Sequence, residues 1–474
     1  MLSDKPPASA LTDARGMGGV IAQGGFDYQL WDGLARLPAW LANPAFEEII
    51  FEGLEDLEAR FFAPQSPRHR LLERYQAKAG ALSPGEVRDV LKTFHGFEEQ
   101  FPNATRIHAL VTPRLPPTLA WLARDPLRVR RARPFYAPFA DIMAASDAAL
   151  RHSLVETYGL ELGEFVASAV EVSERSLPDA ATALATFGAA LDQAFPALEA
   201  PSRKVADTFE VLSSLARHSL GTPLGRSDLR RAMEQTLGKP LPLGQVCALH
   251  IRSDRNEADE TALELDASQF SGGDGGFPPP DIWAEQLLGP LDRTARWLRA
   301  HTMSRVALSG SYRLSTALAV GWSLRSAHGF ELEIQTRAGS WWTDDRPTTG
   351  EPAPPWRIHQ PSRLEGDALI VTVGVLRDPS ADLEASAGIA AEAVLGLHLP
   401  EAIASGRAAQ ASVSLVKRTV DMAVARLGAR QIRLYLAGPA AFAVALGHRW
   451  NAMPPTQLHE YVTSERHYEP TALL

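Results

Sequence analysis

Three polar residues near the start of the chain have the types and spacing of a metal-assisted hydrolytic site. Asp56 begins one predicted strand, and Gln76 and Lys78 follow 20 and 22 residues later at the end of the next. Gln76 and Lys78 share one strand face because residues two apart point the same way. If the two strands pair as a hairpin, Asp56 lies next to Gln76. A carboxylate, an amide oxygen and an ammonium group then occupy one small volume.

These groups suit phosphodiester hydrolysis. Hard oxygens hold Mg²⁺, and we predict three metal ligands for Mg²⁺ or Mn²⁺: Asp56, Gln76 and the backbone carbonyl of Ala77. The metal would activate a water and offset transition-state charge, and a neighbouring lysine would orient the nucleophile or stabilise negative charge. Glu52 could be a further ligand or helper, and Gln29 could reach the same site. An exposed hairpin of mixed charges is the alternative interpretation.

The elements that must position these residues form an α/β core. The sequence predicts a first helix with apolar positions from Phe26 to Leu41, strands over 46–52, 56–62 and 71–78, a helix over 83–99 and a buried strand over 105–111. Ser83 followed by Pro84 is a typical helix start. Residues 115–215 are predicted to be mainly helical.

The order of helix, three strands, helix and strand matches the PD-(D/E)xK nuclease core. Segments 25–29, 51–56 and 75–78 resemble the N-terminal nuclease domain of CBASS effector endonucleases, a PD-(D/E)xK family related to Mrr-type restriction enzymes. In that family Gln often replaces the second acidic residue. The resemblance implies Mg²⁺-dependent cleavage of double-stranded DNA, with Asp56 and Gln76 as metal ligands and Lys78 as the catalytic lysine. Glu52 and Gln29 carry over as further members of the catalytic site.

The C-terminal half contains two small-residue turns between a strand and a helix. Backbone N–H groups at a helix N-terminus can bind an anion, Arg313 adds positive charge, and Tyr312 adds a surface for stacking a base. An ordinary capped helix start is the alternative. The neighbouring tryptophan pair could stack on purines or belong to the core. The candidate ligand-binding residues are Ser309, Gly310, Ser311, Tyr312, Arg313, Trp341, Trp342, Ala437, Gly438 and Pro439.

Segments 306–322, 335–342 and 432–451 resemble the SAVED domain. That domain consists of two fused CARF-like Rossmann units and binds cyclic oligonucleotide second messengers. The resemblance therefore implies a cyclic di-, tri- or tetranucleotide as the activating ligand. A shift in composition places the domain boundary near Thr222. We predict a nuclease domain with a helical extension over 1–222 and a SAVED domain over 223–474.

Composition limits the class of protein. The 474 residues are 45% hydrophobic, which excludes a mostly disordered chain, and the single cysteine excludes a disulfide framework. No run of 18 apolar residues predicts a membrane span, and a reducing cytoplasm is the expected compartment. With 47 basic and 56 acidic residues the net charge is −9. DNA affinity must therefore be local; residues 124–133, with five arginines, are either a solvated loop or a phosphate-contacting arm.

Together these features predict an antiphage effector. Binding of a cyclic oligonucleotide to the C-terminal domain would favour a homo-oligomer whose nuclease domains cut double-stranded DNA. One alternative is a nucleotide-sensing adaptor with a nuclease-like scaffold that does not cut. Another is a restriction enzyme that cuts without a messenger and uses its C-terminal domain to read DNA.

Overall fold

A computed structural model describes residues 18–136, 140–242, 246–253, 262–272, 276–336, 339–344 and 354–474. By its internal contacts the chain divides into two compact units, Met1–Leu243 (unit 1) and Gly244–Leu474 (unit 2). Within the described ranges no helix is both long enough and apolar enough to cross a bilayer.

Unit 1 contains eight described helices and six strands. The helices are α1 (Gly18–Ala42), α2 (Pro84–Gln100), α3 (Trp121–Tyr136), α4 (Ala140–Tyr158), α5 (Leu160–Ala169), α6 (Ala180–Ala194), α7 (Ser202–His218) and α8 (Arg226–Leu237). The strands are β1 (Phe46–Phe51), β2 (Leu57–Phe62), β3 (Arg70–Ala77), β4 (Thr105–Thr112), β5 (Val170–Glu174) and β6 (Leu224–Gly225).

The six strands form one mixed sheet in the order β5-β4-β3-β2-β1-β6. Strands β1, β2 and β3 pair antiparallel, as a meander, whereas β3, β4 and β5 run parallel. Helix α1 packs against β1 and β3, and α2 packs against β4. The predicted start of α2 is confirmed, since Ser83 and Glu86 form a reciprocal capping box that satisfies two backbone N–H groups. The predicted helix, strand and hairpin order of this core is confirmed.

The arginine-rich segment is not a loop. It lies in α3, and the side chains of Arg124, Arg128, Arg130 and Arg131 are exposed, while that of Arg133 lies outside the described residues. Arg124 pairs with Asp125 and Arg130 lies 3.6 Å from Glu171.

The contacts of α8 place it in unit 1, although the sequence predicts a boundary near Thr222. Strand β6 pairs with β1, and α8 packs against α7 and β1. The Arg226 guanidinium donates hydrogen bonds to the carbonyls of Leu41, Asn43 and Pro44, at the end of α1. These long-range bonds fix the segment after Thr222 to the N-terminal sheet.

Unit 2 contains six described helices and eleven strands. The helices are α9 (Pro280–Trp283), α10 (Gly289–Ala300), α11 (Leu314–Ser323), α12 (Ser380–Ala387), α13 (Gly406–Leu427) and α14 (Ala440–Arg449). The strands are β7 (Val246–Arg252), β8 (Leu263–Asp266), β9 (Arg305–Gly310), β10 (Glu331–Thr336), β11 (Gly339–Trp342), β12 (Arg357–His359), β13 (Ala368–Val375), β14 (Val394–Leu399), β15 (Gln431–Ala437), β16 (Thr456–Val462) and β17 (His467–Leu473).

These strands form two mixed sheets, in the orders β11-β10-β9-β7-β8 and β12-β14-β13-β15-β16-β17. The inner strands are parallel, as predicted, but β11, β12 and β17 add antiparallel edges. Strand β13 is buried along its whole length, as expected for a parallel strand covered on both faces. In the first sheet the next two strands along the chain, β8 and β9, lie on opposite sides of β7. In the second sheet β14 and β15 lie on opposite sides of β13, so the strand order reverses at β7 and at β13. Ligands of open α/β sheets bind outside the carboxyl ends of strands at such points.

Two predicted helices of unit 2 differ from the observed ones. The helix expected over 282–301 is interrupted by a π-helical turn, Ala284–Leu288, because Pro290 has no N–H for a regular helical bond. The helix expected to continue to Ala327 ends at Ser323. There the carbonyl of Leu324 pairs with the His448 ring at 2.7 Å.

Candidate functional site

The hairpin places Asp56 beside Gln76. Strands β2 and β3 pair with Leu57 opposite Tyr75, so the same register puts Asp56 opposite Gln76. The Ala77 N–H donates a hydrogen bond of 2.7 Å to the Asp56 carboxylate. A residue's N–H and C=O point to the same neighbouring strand, so the Ala77 carbonyl faces this edge too.

Gln29 and Lys78 also reach the carboxylate. Burial raises the pKa of Asp56, while the Ala77 N–H, the Lys78 ammonium and a hydrogen bond from Gln29 oppose that effect. Gln29 directly follows Tyr28 on α1. The Tyr28 hydroxyl donates a hydrogen bond of 2.8 Å to the Arg175 carbonyl, which holds this part of the helix in place. Helix α1 thus adds Gln29 to the three polar residues of the β2–β3 hairpin, Asp56, Gln76 and Lys78.

Two amide oxygens at this site have no partner among the residues that the structure describes. The Oε1 atoms of Gln76 and Gln29 are buried and accept no hydrogen bond from any described residue. A buried carbonyl-type oxygen without a donor is costly, and a hard cation satisfies it. The oxygen set of Asp56, Gln76 and Gln29 therefore fits Mg²⁺ or Mn²⁺, with Lys78 beside it.

The turn between β1 and β2 adds two carboxyl groups. Glu52 adopts a left-handed backbone conformation, φ 55°, and its N–H donates to the Asp56 carbonyl at 2.9 Å. Burial, and then the charge of Asp56, raise the pKa of Glu52. Glu55 was not predicted from the sequence: it is only 7% exposed, and burial and the Asp56 charge raise its pKa to about 7. Glu55 precedes β2, so the alternation of polar and apolar residues in that strand gives no indication that Glu55 is buried.

In unit 2, the turn at 309–313 lies at the carboxyl end of β9, beside the end of β7. Gly310 has φ 103°, and a Cβ atom there would lie 2.1 Å from the Ile251 carbonyl oxygen, so the turn requires glycine. Ser309 pairs with the His250 ring at 3.0 Å. Arg313 is exposed and donates to the Ser271 carbonyl. Tyr312 is half-buried, and burial raises its phenol pKa.

The turn at 437–439 occupies the equivalent place in the other sheet. Ala437 ends β15, Gly438 (φ 145°) and Pro439 are exposed, and α14 follows. A Cβ atom on Gly438 would lie 3.0 Å from Cβ of Val375, at the end of β13. Both turns therefore lie where the strand order reverses.

Known proteins resemble this chain over its whole length. The SAVED model, described as the SMODS-associated and fused to various effectors sensor domain, matches residues 290–474. A CD-NTase-associated protein 4 from Moraxella osloensis is 24% identical, covering 98% of this chain and 99% of the relative. One from an Acinetobacter strain is 23% identical with the same coverage. The chain is similar over its whole length to CD-NTase-associated protein 4, and its residues 290–474 match the SAVED sensor domain.

Solved structures agree on the fold. The Acinetobacter baumannii Cap4 SAVED/CARF-domain containing receptor with the cyclic trinucleotide 2'3'3'-cAAA has a TM-score of 0.75 at 21% identity and covers 95% of this chain and 98% of its own. The Moraxella osloensis Cap4 receptor has a TM-score of 0.73 at 22% identity, over 96% of this chain and all of its own.

Within the SAVED domain, a carboxyl group from a distant strand already occupies the N-terminus of α11. The buried Glu460 carboxylate on β16 accepts the Ser315 N–H at 2.5 Å, and the Ser315 hydroxyl pairs with Thr471. Burial raises the pKa of Glu460, and the Ser315 N–H opposes that effect. A phosphate therefore cannot bind this N–H without displacing Glu460, which leaves the exposed turn residues for an incoming ligand.

The tryptophan pair of the SAVED domain does not form one stacking surface. Trp341 and Trp342 are neighbours on β11, so their side chains point to opposite faces. Trp342 lies under the Arg305 guanidinium at 4.3 Å. Through β10, Trp342 is level with Ala307 and Trp341 with Leu308 of β9, so both lie two strands away from the strand that ends in the 309–313 turn. The role of the two tryptophans in a ligand site therefore stays a prediction.

Proposed function

We propose that the protein is an antiphage CBASS effector, a metal-dependent endonuclease of double-stranded DNA that a cyclic oligonucleotide activates. The observation that carries the nuclease assignment is the contact of Asp56 with the Ala77 backbone, with Gln76 opposite and Lys78 beside it. When bound, Mg²⁺ would supply an activated water and neutralise charge on the phosphate.

The chain's own residues have separate roles in this proposal. Asp56 and Gln76 hold the ion, the Ala77 carbonyl faces the same edge, and Gln29 completes the oxygen set. Lys78 places a positive charge next to the phosphodiester that is cut, where negative charge develops. Glu52, in the turn between β1 and β2, helps to hold water or the ion.

For the messenger we propose a cyclic trinucleotide, because Cap4 receptors with this fold are described with 2'3'3'-cAAA and 3'3'3'-cAAA. The exposed turns at 309–313 and 437–439 would contact its phosphates, and Tyr312 would face a base. A ligand activates only by binding the active state more tightly than the resting one, and a ligand-induced homo-oligomer on DNA is the state we propose.

The test is cleavage of a supercoiled plasmid by the full chain, with and without Mg²⁺ and with each cyclic trinucleotide. We expect cleavage only when both are present. Lys78→Ala abolishes cleavage and leaves messenger affinity, measured by calorimetry, unchanged. Lys92→Ala removes an exposed lysine of α2 as a matched control and retains activity.

Mg²⁺-dependent nicking that persists in Lys78→Ala would refute the role of the lysine. Binding of messenger by a wild-type chain that never cuts would instead favour the adaptor function, which the missing second carboxylate at position 76 keeps open. Cutting without messenger would indicate a constitutive restriction enzyme.

A further inference from the structure

A charged cavity lies beside the Asp56 site in unit 1. It has a volume of about 970 Å³, and its charged lining comprises four arginines and two glutamates: Arg60, Arg68, Arg70, Arg74, Glu52 and Glu58. We call it the arginine cavity. Its lining carries two more positive than negative charges, in a chain whose net charge is −9. Glu52 lines the arginine cavity and also lies near the Asp56 site, since the charges of Asp56 and Lys78 both shift the pKa of its carboxyl group.

Arg74 lies on the cavity floor with unused donors. Its residue is only 3% exposed, yet Nε and Nη1 donate to no group in the described part of the chain. Its ion pair with Glu58 is long, 3.9 Å, and the other Glu58 oxygen accepts a bond of 2.7 Å from Arg60. A buried guanidinium normally has its donors satisfied. An anion that enters the cavity would complete them.

The rim adds a second arginine on an unusual backbone. Arg68 and His69 both have left-handed conformations, φ 63° and 59°, which are rare for such residues and cluster at functional sites. The exposed Arg68 guanidinium lies over the Phe101 ring at 5.7 Å. This segment therefore holds Arg68 at the mouth of the cavity. In contrast, Arg60 and Arg70 are bound to Glu48 and Glu47 at 2.7 and 3.0 Å.

The position of Arg74 relates the cavity to the Asp56 site. Arg74 and Gln76 are two residues apart on β3, so they share a face and are separated by about 6.6 Å. Each DNA strand carries one phosphate per about 3.4 Å of helix axis. Neighbouring phosphates of one strand are farther apart in space than this axial rise, because the strand winds around the axis, so Arg74 lies about one phosphate from a phosphodiester held at Gln76. Guanidinium groups match phosphate oxygens in geometry and charge.

We propose that the arginine cavity binds a backbone phosphate of duplex DNA next to the one that is cleaved, with Arg74 at its floor and Arg68 at its rim. The inference rests on the proposed nuclease function. Arg74 and Arg68 would fix the register of the duplex over Asp56 and Lys78, and they would carry no sequence preference.

The experiment measures the affinity of the full chain for a short fluorescein-labelled duplex by anisotropy, in EDTA and 3'3'3'-cAAA, over a series of KCl concentrations. We expect Arg74→Gln and Arg68→Gln each to weaken binding about 10-fold at low salt and to reduce the slope of log affinity against log salt by about one unit. Arg231→Gln, which removes an exposed arginine of α8, is the charge-matched control and should change neither quantity.

Because Arg74 is buried, its variant could fail to fold. Arg68 is exposed, so Arg68→Gln tests the proposal alone, and circular dichroism checks both folds. Wild-type affinity and slope in a folded Arg68→Gln would overturn the proposal. A chain that inorganic phosphate protects from trypsin, but that binds duplex RNA more tightly than duplex DNA, would also overturn it. If the wild type cuts plasmid while the variants bind normally, only this inference fails. If the wild type neither binds nor cuts DNA, the nuclease function itself fails.

Discussion

The crossing of α11 and α14 gives the most quantitative prediction. A Cβ atom added at Gly321 would lie 2.1 Å from the Val444 carbonyl oxygen, and one at Gly447 would lie 2.1 Å from the Leu318 carbonyl oxygen. Ordinary contact begins at 3.4 Å, so Gly321→Ala forces the helices apart by about 1.3 Å. Overpacking of this kind costs about 1–3 kcal/mol, against a gain of about 0.5–1 kcal/mol for alanine in a helix. We expect the free energy of unfolding to fall by about 1–2 kcal/mol.

Urea denaturation measures this loss, and hydrogen exchange read by mass spectrometry locates it in α11 and α14. Gly96→Ala in α2 is the matched control. Its Cβ atom meets no described atom within 4 Å, so it should stabilise unit 1 by about 0.5–1 kcal/mol. A Gly321→Ala chain at least as stable as the wild type would refute the close-packing argument.

Three further predictions concern the candidate metal site, the contact of Arg226 with the end of α1, and the dependence of stability on pH. Gln76→Glu should lower the Mg²⁺ concentration for half-maximal cleavage, because it adds a charge at a metal ligand, and should lower metal-free stability; an unchanged half-maximal concentration would contradict Gln76 as a ligand. Arg226→Ala removes the donor to carbonyls at the end of α1 and should cost unit 1 about 2–4 kcal/mol, measured by urea denaturation, whereas a change within 0.5 kcal/mol would contradict that role. Burial lowers the pKa of His448 from 6.5 to about 4, so the unfolded chain binds the proton first as pH falls. Stability should therefore be complete above pH 6.5 and decline towards pH 4, with up to about 1.4 kcal/mol per pH unit from this histidine; a chain with His448→Gln should show a shallower decline, and an equal slope would exclude His448.

The sequence predicted the parts of the site that depend on local periodicity. The Asp56–Gln76 pairing is predicted from two alternating runs joined by a short loop, and the register of β2 with β3, extended by one residue, agrees with it. The start of α2 follows from Ser83, Pro84 and Glu86, which are adjacent in the chain. Strands such as β13 are visible as apolar runs between turn residues.

What the sequence could not predict depends on contacts between distant segments. Glu460 caps α11 from 145 residues away, which no local pattern records. Glu73 and Arg74 are consecutive and both buried, although charged residues in a strand normally predict a solvent-facing side. The sequence therefore gives no signal for a role of Arg74, which only the surrounding cavity indicates.

The replacement of a carboxylate by Gln76 has a physical explanation in the β1–β2 turn. Glu52 and Glu55 lie close enough to Asp56 for its charge to raise the pKa of each, so two further carboxyl groups already lie beside Asp56. A glutamate at position 76 would add a further like charge to a partly buried group, which is costly without an ion. An amide supplies a hard oxygen without that charge. The site can therefore stay folded before a cation arrives and still offer it a set of ligands, which suits the proposed effector, active only after it binds its messenger.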